Sequence, residues 1–173
     1  DTEIIGCKLI KPSPFQDDRG IFARVFCAKE FEEQGLKTDY VQSNISTNEK
    51  KGVLRGMHFQ NHPHEEVKLV RAFNGAIFDV VVDLRKDSKT YLSWFGAELS
   101  EANRLMMYVP EGCGHGYLSL TEKSLVHYMV SSYYHPSAES GFMYNDPLIK
   151  IDWPISIQLI SKTDKNWKPL ENL

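Results

Sequence analysis

Short runs of apolar and β-branched residues, separated by turn residues, constrain the fold of this chain more than any other feature. Six runs have strand character, at residues 52–55, 67–73, 76–84, 105–109, 116–120 and 124–130. Turn residues follow several of them, at Asn74-Gly75, Pro110-Glu111-Gly112 and His135-Pro136. An Asn-Gly pair between two such runs is the strongest short-range hairpin signal. The pattern predicts one all-β domain over residues 1–173, built as a double-sheet jelly roll.

Helical signals are few, and the composition excludes several classes of protein. Residues 29–34 precede Gly35, a favoured helix C-cap, and residues 100–103 predict a turn or a single helical turn. The net charge of -3 gives no indication of a nucleic-acid partner. No apolar run approaches the roughly 20 residues that span a bilayer, and we expect neither a membrane segment nor a secretory signal. Three widely spaced cysteines (Cys7, Cys27 and Cys113) predict reduced thiols and a cytoplasmic location.

A histidine between two basic residues is the strongest chemical signal in the chain. His58 lies between Arg55 and Lys68 on a segment with strand and turn character. Histidine titrates near neutral pH, which suits it to proton transfer. Arginine and lysine can bind an anionic substrate or stabilise an oxyanion as it develops. This segment therefore predicts base chemistry on a charged substrate.

Strand alternation limits which other side chains can join His58. Side chains of a strand point alternately to its two faces, so Tyr128 and His127 lie on opposite faces of the run at 124–130. One of the two is placed to line the interior. Asp79 and Asp83 share a face of the run at 76–84, and they either orient a base or form a solvated face.

Nine ordered motifs together resemble one known family. They lie at residues 17–20, 52–60, 68–71, 78–85, 99–103, 109–116, 132–136, 145–147 and 151–154. In this order they are similar to the motifs of the dTDP-4-dehydrorhamnose 3,5-epimerase family, over residues 5 to 165. The resemblance implies a cupin-like jelly roll, a double-stranded β-helix with one or two short helices. It also implies a homodimer with exchanged strands, and neither a metal nor an organic cofactor.

The resemblance also implies a reaction. Enzymes of this family invert C3, C5 or both carbons of a nucleotide-linked 4-keto-6-deoxy sugar, in the biosynthesis of deoxysugars for lipopolysaccharide or capsule. The C4 ketone makes the neighbouring protons removable if the charge on its oxygen is stabilised, so base and acid groups suffice. The chain offers no Gly-rich dinucleotide turn that would indicate redox chemistry.

Four residues match the catalytic positions of the family. By resemblance His58 is the general base, and Asp164 pairs with it and fixes its tautomer. Tyr128 is the acid that returns a proton on the opposite face of the sugar. Lys68 is the cation beside the keto oxygen.

Further residues match substrate-binding positions. His115 and Arg55 complete the surroundings of the sugar and phosphate. The resemblance assigns nucleotide-diphosphate contacts, some reaching from the partner subunit, to Phe15, Arg19, Gln42, Asn44 and Tyr134. Arg24 stands where the family commonly has a glutamate, near the nucleotide end. This reversal of charge leaves a CDP- or GDP-linked sugar, inverted at a single carbon, as an alternative substrate.

Other departures and alternatives stay open. Glu65-Glu66-Val67 replaces a common glycine before Lys68 and is expected to reshape that loop, and Cys113 and His127 are expected to enlarge or re-polarise the sugar pocket. The run His62-x-His64 with adjacent acids resembles a metal-cupin ligand run, which would suit iron, manganese or zinc. A non-catalytic sugar-nucleotide-binding module is disfavoured, because base, acid and orienting carboxylate are all present.

Overall fold

The computed structural model describes residues 1–170 and contains thirteen strands and two short helices. The predicted domain over residues 1–173 thus includes three residues outside the described part. The strands are β1 (Lys8–Ile10), β2 (Phe15–Asp17), β3 (Gly20–Phe22), β4 (Gln42–Asn48), β5 (Val53–Gln60), β6 (Lys68–Asn74), β7 (Ala76–Asp83), β8 (Trp94–Ser100), β9 (Met106–Val109), β10 (Cys113–Ser119), β11 (Ser124–Val130), β12 (Glu139–Gly141) and β13 (Leu159–Ile160). The helices are α1 (Ala28–Glu33) and α2 (Lys162–Lys165).

Two antiparallel sheets form a jelly roll, which confirms the predicted fold. The first sheet has the order β1-β9-β6-β11-β4, and the second has the order β12-β5-β10-β7-β8. The short strand β13 adds to β5 in parallel. The strands β2 and β3 form a separate hairpin that, within residues 1–170, pairs with neither sheet.

The main core lies between the two sheets. Val70 and Val126 from the first sheet pack with Ile77, Val81 and Leu99 from the second, and all five are fully buried. A second cluster covers the outer face of the second sheet, where Phe142 and the segment after it pack on β5 and β7. The C-terminal segment is therefore held against β5, the strand that carries His58.

The hairpin predicted at Asn74-Gly75 is wrong. The strands β6 and β7 belong to different sheets, so this turn carries the chain across the sandwich. Gly75 has a φ of 68°, and a Cβ atom there would collide with the hydroxyl of Thr121. Each strand has better partners elsewhere: β6 lies between β9 and β11, and β7 lies between β8 and β10.

The helical predictions agree with the structure. The helix α1 ends just before Gly35, whose φ is 69°. Residues 101–103 form a turn in which Asn103 Oδ1 accepts a hydrogen bond from the backbone N–H of Ser100 at 3.0 Å. The helix α2 was not predicted from its own sequence. None of the helices within residues 1–170 is long and apolar enough to cross a membrane.

Candidate active site

A cavity of about 580 Å³ opens between the two sheets. Both sheets contribute to it, and β13 and α2 close one side, with the lining residues Ser46, Val53, Leu54, Arg55, His58, Lys68, Val70, His115, Tyr117, Tyr128, Glu139, Leu159, Ile160, Ser161, Thr163 and Asp164. A second lobe of about 380 Å³ shares His58, Lys68, Tyr128 and Glu139 with the first. The predicted catalytic residues therefore meet in one place.

His58 and Asp164 form the shortest polar contact of the cavity. The distance between His58 Nε2 and Asp164 Oδ1 is 2.6 Å, although 106 residues separate the two in the chain. The other carboxylate oxygen accepts the backbone N–H of Gly56 at 3.3 Å. The Ser161 hydroxyl caps α2 by accepting the N–H of Asp164. Because Nε2 is held by the carboxylate, Nδ1 is the ring atom that is left for a substrate proton.

The carboxyl of Asp164 stays ionised despite its burial. Burial alone would raise its pKa, but the hydrogen bond and charge of His58, with the N–H of Gly56 and the Ser161 contact, lower the pKa below its ordinary value. The side chain is 7% exposed, whereas His58 is 35% exposed. The carboxylate thus faces the protein while the imidazole faces the cavity.

Lys68 enters the cavity from the first sheet and is paired with an acid. Its Nζ lies 3.1 Å from Glu66 Oε1, and both side chains are largely buried. From the sequence, Glu66 is expected only to reshape the loop before Lys68, and its direct contact with the lysine is visible only in the structure. The cation keeps hydrogen-bonding capacity beyond this contact, since a lysine ammonium has three donors.

Tyr128, and not His127, faces the interior. The strand β11 pairs with β4 and β6, and Tyr128 lies opposite Asn44 and Val70 in this register. Burial, together with the nearby Tyr117 hydroxyl and Glu66 carboxylate, raises the pKa of Tyr128 and keeps its phenol protonated.

His127 lies on the outer face of the first sheet, where it contacts the Ser43 hydroxyl at 2.9 Å and the Phe73 ring. The expectation that His127 re-polarises the sugar pocket is therefore wrong, because strand alternation turns it away from the cavity. Cys113 does not line the cavity either. It is buried in the core, where burial raises the pKa of its thiol to about 12.

His115 forms a second histidine–carboxylate pair opposite His58. The two histidines are partners across β5 and β10, and His115 Nε2 lies 2.8 Å from the fully buried Asp79 Oδ1. The close approach of these strands needs glycine, because a Cβ atom on Gly56 would lie 2.7 Å from the Cα atom of Gly116. The interpretation of Asp79 as an orienting carboxylate fits this geometry, and a solvated face does not.

Arg55 is held at the wall of the cavity by polar groups of β4. Its Nε donates to Asn48 Oδ1 at 2.9 Å, and its Nη2 donates to the backbone oxygen of Thr47 at 3.1 Å. The hydroxyl of Tyr117 donates to the Ser46 hydroxyl at 3.0 Å in the same network. These contacts fix the guanidinium without using a carboxylate, so its charge is available to an anion.

Three predicted nucleotide contacts line the second lobe: Gln42, Asn44 and Tyr134. Gln42 Oε1 accepts the backbone N–H of Tyr134 at 2.8 Å, and the Tyr134 hydroxyl donates to Glu139 Oε2 at 2.7 Å. The ring of Tyr134 is 55% exposed and offers a stacking surface at the mouth of the lobe.

The other three predicted contacts lie elsewhere. Phe15 and Arg24 line a separate cavity of about 450 Å³ beside the β2–β3 hairpin, and Arg24 pairs with Glu30 at 2.7 Å. The Arg19 side chain is 88% exposed and pairs with Asp17. None of the three lines either lobe of the main cavity among the residues that the structure describes.

The metal-like run lies in the loop between β5 and β6. His62 is 86% exposed and contacts Glu65 at 3.3 Å, while the ring of His64 stacks on that of His135. Within residues 1–170, no group of three His, Cys, Asp or Glu side chains is placed to hold a metal ion.

Sequence reasoning missed several members of the cavity. Tyr117, Glu139 and Thr163 line it, and Trp167 approaches His58 with ring centroids 6.4 Å apart. A signal existed for Tyr117, because it follows His115 by two residues and so shares its strand face. No comparable local signal marks Thr163 or Trp167, which depend on where the C-terminal segment packs.

The fold and the cavity together define a cupin-like jelly roll equipped for acid–base chemistry. A family model described as dTDP-4-dehydrorhamnose 3,5-epimerase matches residues 1–172. The chain is 45% identical over 172 residues to the dTDP-4-dehydrorhamnose 3,5-epimerase of Methanothermobacter thermautotrophicus, covering 98% of this chain and 92% of the relative.

Solved structures agree with that match. The dTDP-4-dehydrorhamnose 3,5-epimerase of Elizabethkingia anophelis has a TM-score of 0.96 at 38% identity, covering 99% of this chain and 95% of that one. The dTDP-6-deoxy-D-glucose-3,5-epimerase of Legionella pneumophila, in complex with dTDP-4-keto-L-rhamnose, has a TM-score of 0.93 at 39% identity, covering 99% and 91%. The chain belongs to the dTDP-4-dehydrorhamnose 3,5-epimerase family, and it is an isomerase.

Proposed function

We propose that this chain inverts both C3 and C5 of a dTDP-linked 4-keto-6-deoxy sugar through enolate intermediates. The observation that carries the proposal is that His58 and Tyr128 enter one cavity from opposite sheets, with Lys68 beside them. Inversion needs a base on one face of the carbon and an acid on the other. Two groups on facing sheets meet that need.

Each inversion uses the same four side chains. His58 Nδ1 takes the proton from C3 or C5, and the C–H electron pair moves to the C4 oxygen to form the enolate. The Lys68 ammonium donates a hydrogen bond to that oxygen, where such a contact is worth several kcal/mol in a dry site. The Tyr128 phenol gives its proton to the opposite face of the carbon, and the ketone is restored. Asp164 holds the imidazolium that forms on His58. Before the second inversion, His58 releases its proton to solvent and the Tyr128 phenolate takes one up.

The nucleotide contacts are part of the proposal. Arg55 and His115 bind near the sugar and phosphate, and Gln42, Asn44 and Tyr134 bind the nucleotide diphosphate in the second lobe. The dTDP substrate is favoured because the relatives above carry dTDP in their names. The charge of Arg24, which raised the CDP and GDP alternatives, is already paired with Glu30.

A homodimer completes the proposed site. Phe15, Ile21 and Phe22 of the β2–β3 hairpin are large apolar side chains exposed by 64%, 45% and 70%. Exposed apolar side chains grouped on one short hairpin are typical of an interaction surface. We infer that the hairpin packs on a second copy of the chain and carries Phe15 and Arg19 to the partner's nucleotide, with Arg24 nearby. The cytoplasmic location stays a prediction.

Deuterium exchange tests the reaction. In deuterated water the chain should introduce deuterium at C3 and C5 of dTDP-4-keto-6-deoxyglucose, followed by NMR, and His58→Ala should lower exchange at both carbons by about a thousandfold. The control is His62→Ala, an exposed histidine of the metal-like run, which should exchange at the wild-type rate. Exchange with only the CDP- or GDP-linked sugar, or unchanged exchange in His58→Ala, would contradict the proposal.

A further inference from the structure

Glu66 carries a largely buried carboxylate that the proposed proton transfers do not use. It lines the second lobe together with His58, Lys68 and Tyr128. Its side chain is 12% exposed and that of Lys68 is 13% exposed, with 3.1 Å between Oε1 and Nζ. Charged side chains are rarely buried to this extent unless they are paired, and Glu66 and Lys68 pair with each other.

A buried lysine next to a developing enolate has two requirements. Burying an unpaired charge is costly, so a largely buried ammonium needs a partner of opposite charge. The four-carbon stem is also flexible, so something must direct its donors. A carboxylate that accepts one of the three N–H bonds meets both requirements and leaves two donors for the substrate.

Glu66 is itself held firmly. The Nε2 group of Gln60 donates to Glu66 Oε2 at 3.3 Å and also contacts the backbone oxygens of His64 and Tyr133. The Oε1 atom of Gln60 accepts the N–H of His135 at 2.7 Å. A buried network in which the members have partners is rigid. The position of the carboxylate is therefore fixed by β5 and by two loops, independently of Lys68.

The Glu66 carboxylate also affects the pKa of Tyr128, which lines the same lobe. Burial is the main cause of the raised pKa of Tyr128, and the charges of Tyr117 and Glu66 add to it. A negative charge at residue 66 thus opposes loss of the phenol proton at alkaline pH.

We propose that Glu66 is a positioning residue for Lys68: its carboxylate accepts one N–H of the ammonium and directs the remaining donors at the C4 oxygen of the keto sugar. This inference rests on the proposed enolate chemistry and gives Glu66 no contact with the reacting carbons. It assigns a role to the acid that precedes Lys68 by two residues.

The test is Glu66→Gln, which keeps the shape of the side chain and removes its charge. At pH 7 we expect kcat to fall about tenfold, and the alkaline limb of the kcat profile to move down by about one pH unit. Glu66→Asp retains the charge, so its alkaline limb should stay at the wild-type position even where its kcat is lower. The matched control is Glu65→Gln, whose carboxylate contacts the exposed His62 and should leave both quantities unchanged.

The Lys68→Met variant distinguishes a positioning role of Glu66 from a purely structural one. In Lys68→Met, adding Glu66→Gln should cost less than about twofold in kcat at pH 7, because the carboxylate acts through the lysine. A tenfold loss of kcat when Glu66→Gln is added to Lys68→Met would overturn the inference. So would an alkaline limb of the kcat profile that stays in place in Glu66→Gln but shifts in Glu66→Asp. Failure of the proposed function looks different, since the wild-type chain itself would then give no deuterium exchange.

Discussion

An aspartate followed two residues later by an arginine occurs twice with the same geometry and in opposite surroundings. In both pairs the arginine backbone N–H and Nε donate to Oδ1, and Nη2 donates to Oδ2. Asp83 is fully buried and also accepts the hydroxyls of Ser88 and Thr90, each at 2.6 Å. Asp17 and Arg19 lie on the exposed β2–β3 hairpin.

The difference shows that surroundings, and not the local motif, decide what a charge pair does. Around the jelly-roll core and its cavity, three buried carboxylates each fix a neighbouring side chain: Asp83 holds Arg85, Asp79 holds His115, and Asp164 holds His58. On the hairpin the same kind of pair leaves most of Arg19 facing solvent. The first arrangement builds a rigid site within one chain, whereas the second leaves the paired cation exposed to a ligand or a second chain.

The largest effect is expected where a buried carboxylate holds the base. Asp164→Asn removes the acceptor that fixes the tautomer of His58, and kcat should fall by about two to four orders of magnitude. Steady-state kinetics on the dTDP-linked keto sugar measures it, with the exposed Asp152→Asn as the control. A loss below tenfold in Asp164→Asn would show that the pair does not orient the base.

The next effect concerns stability and compares the two Asp–Arg pairs directly. Asp83→Asn leaves Arg85 without its buried partner and should lower the free energy of unfolding by about 3 kcal/mol. Asp17→Asn, in the exposed copy of the motif, should leave the denaturation midpoint where it is. Urea unfolding at fixed protein concentration measures the stability of both variants. An equal loss of unfolding free energy in Asp83→Asn and Asp17→Asn would contradict the claim that burial separates the two pairs.

The pH dependence of stability gives a further test of the buried Asp83–Arg85 pair. Burial would raise the pKa of Asp83, but the hydrogen bonds from Arg85, Ser88 and Thr90 outweigh it and hold the pKa well below the ordinary 3.8. A depressed folded-state pKa stabilises the protein above the unfolded value, and that stability is lost as pH falls below it. The stability gap between wild type and Asp83→Asn should therefore narrow below about pH 4.

The smallest effect lies on the hairpin. Arg19→Ala should raise KM about tenfold and leave kcat nearly unchanged, because only binding of the diphosphate is lost. If Arg19 serves the partner's site, mixing Arg19→Ala with His58→Ala subunits gives heterodimers in which one site keeps both residues, and those sites should show the wild-type KM. The exposed Lys11→Ala is the control for general charge loss. A mixture in which every active site keeps the raised KM of Arg19→Ala would place Arg19 in its own chain's site.

Much of this architecture could be predicted from alternation and turn residues. Five of the six strand-like runs became strands within a few residues of the predicted ends, and the sixth, at 52–55, extends to Gln60 as β5. The strand β4 was missed because its inward residues are polar: Ser46 lines the main cavity and Asn44 lines the second lobe. The crossing at Gly75 was missed because a strand's partner is set by pairings distant in sequence.

The candidate site likewise contains residues that the sequence predicts and residues that only the structure brings together. The proposed catalytic residues on strands lie in motifs that can be read from the sequence. That Tyr128 faces the cavity follows from the register of β11 with its neighbours. The pairing of Asp164 with His58 could be given only by resemblance, because it spans 106 residues. The role of Glu66 had no motif, since it becomes visible only when its oxygen is seen beside Lys68.

One measurement tests the central claim that base and acid act from opposite sheets. Tyr128→Phe is placed in deuterated water with dTDP-4-keto-6-deoxyglucose, and NMR follows both deuterium exchange and inversion, with the exposed Tyr133→Phe as the control. The account predicts that deuterium still enters through His58 while net inversion falls by about a hundredfold. Inversion at the wild-type rate, or loss of exchange and inversion together, would contradict it.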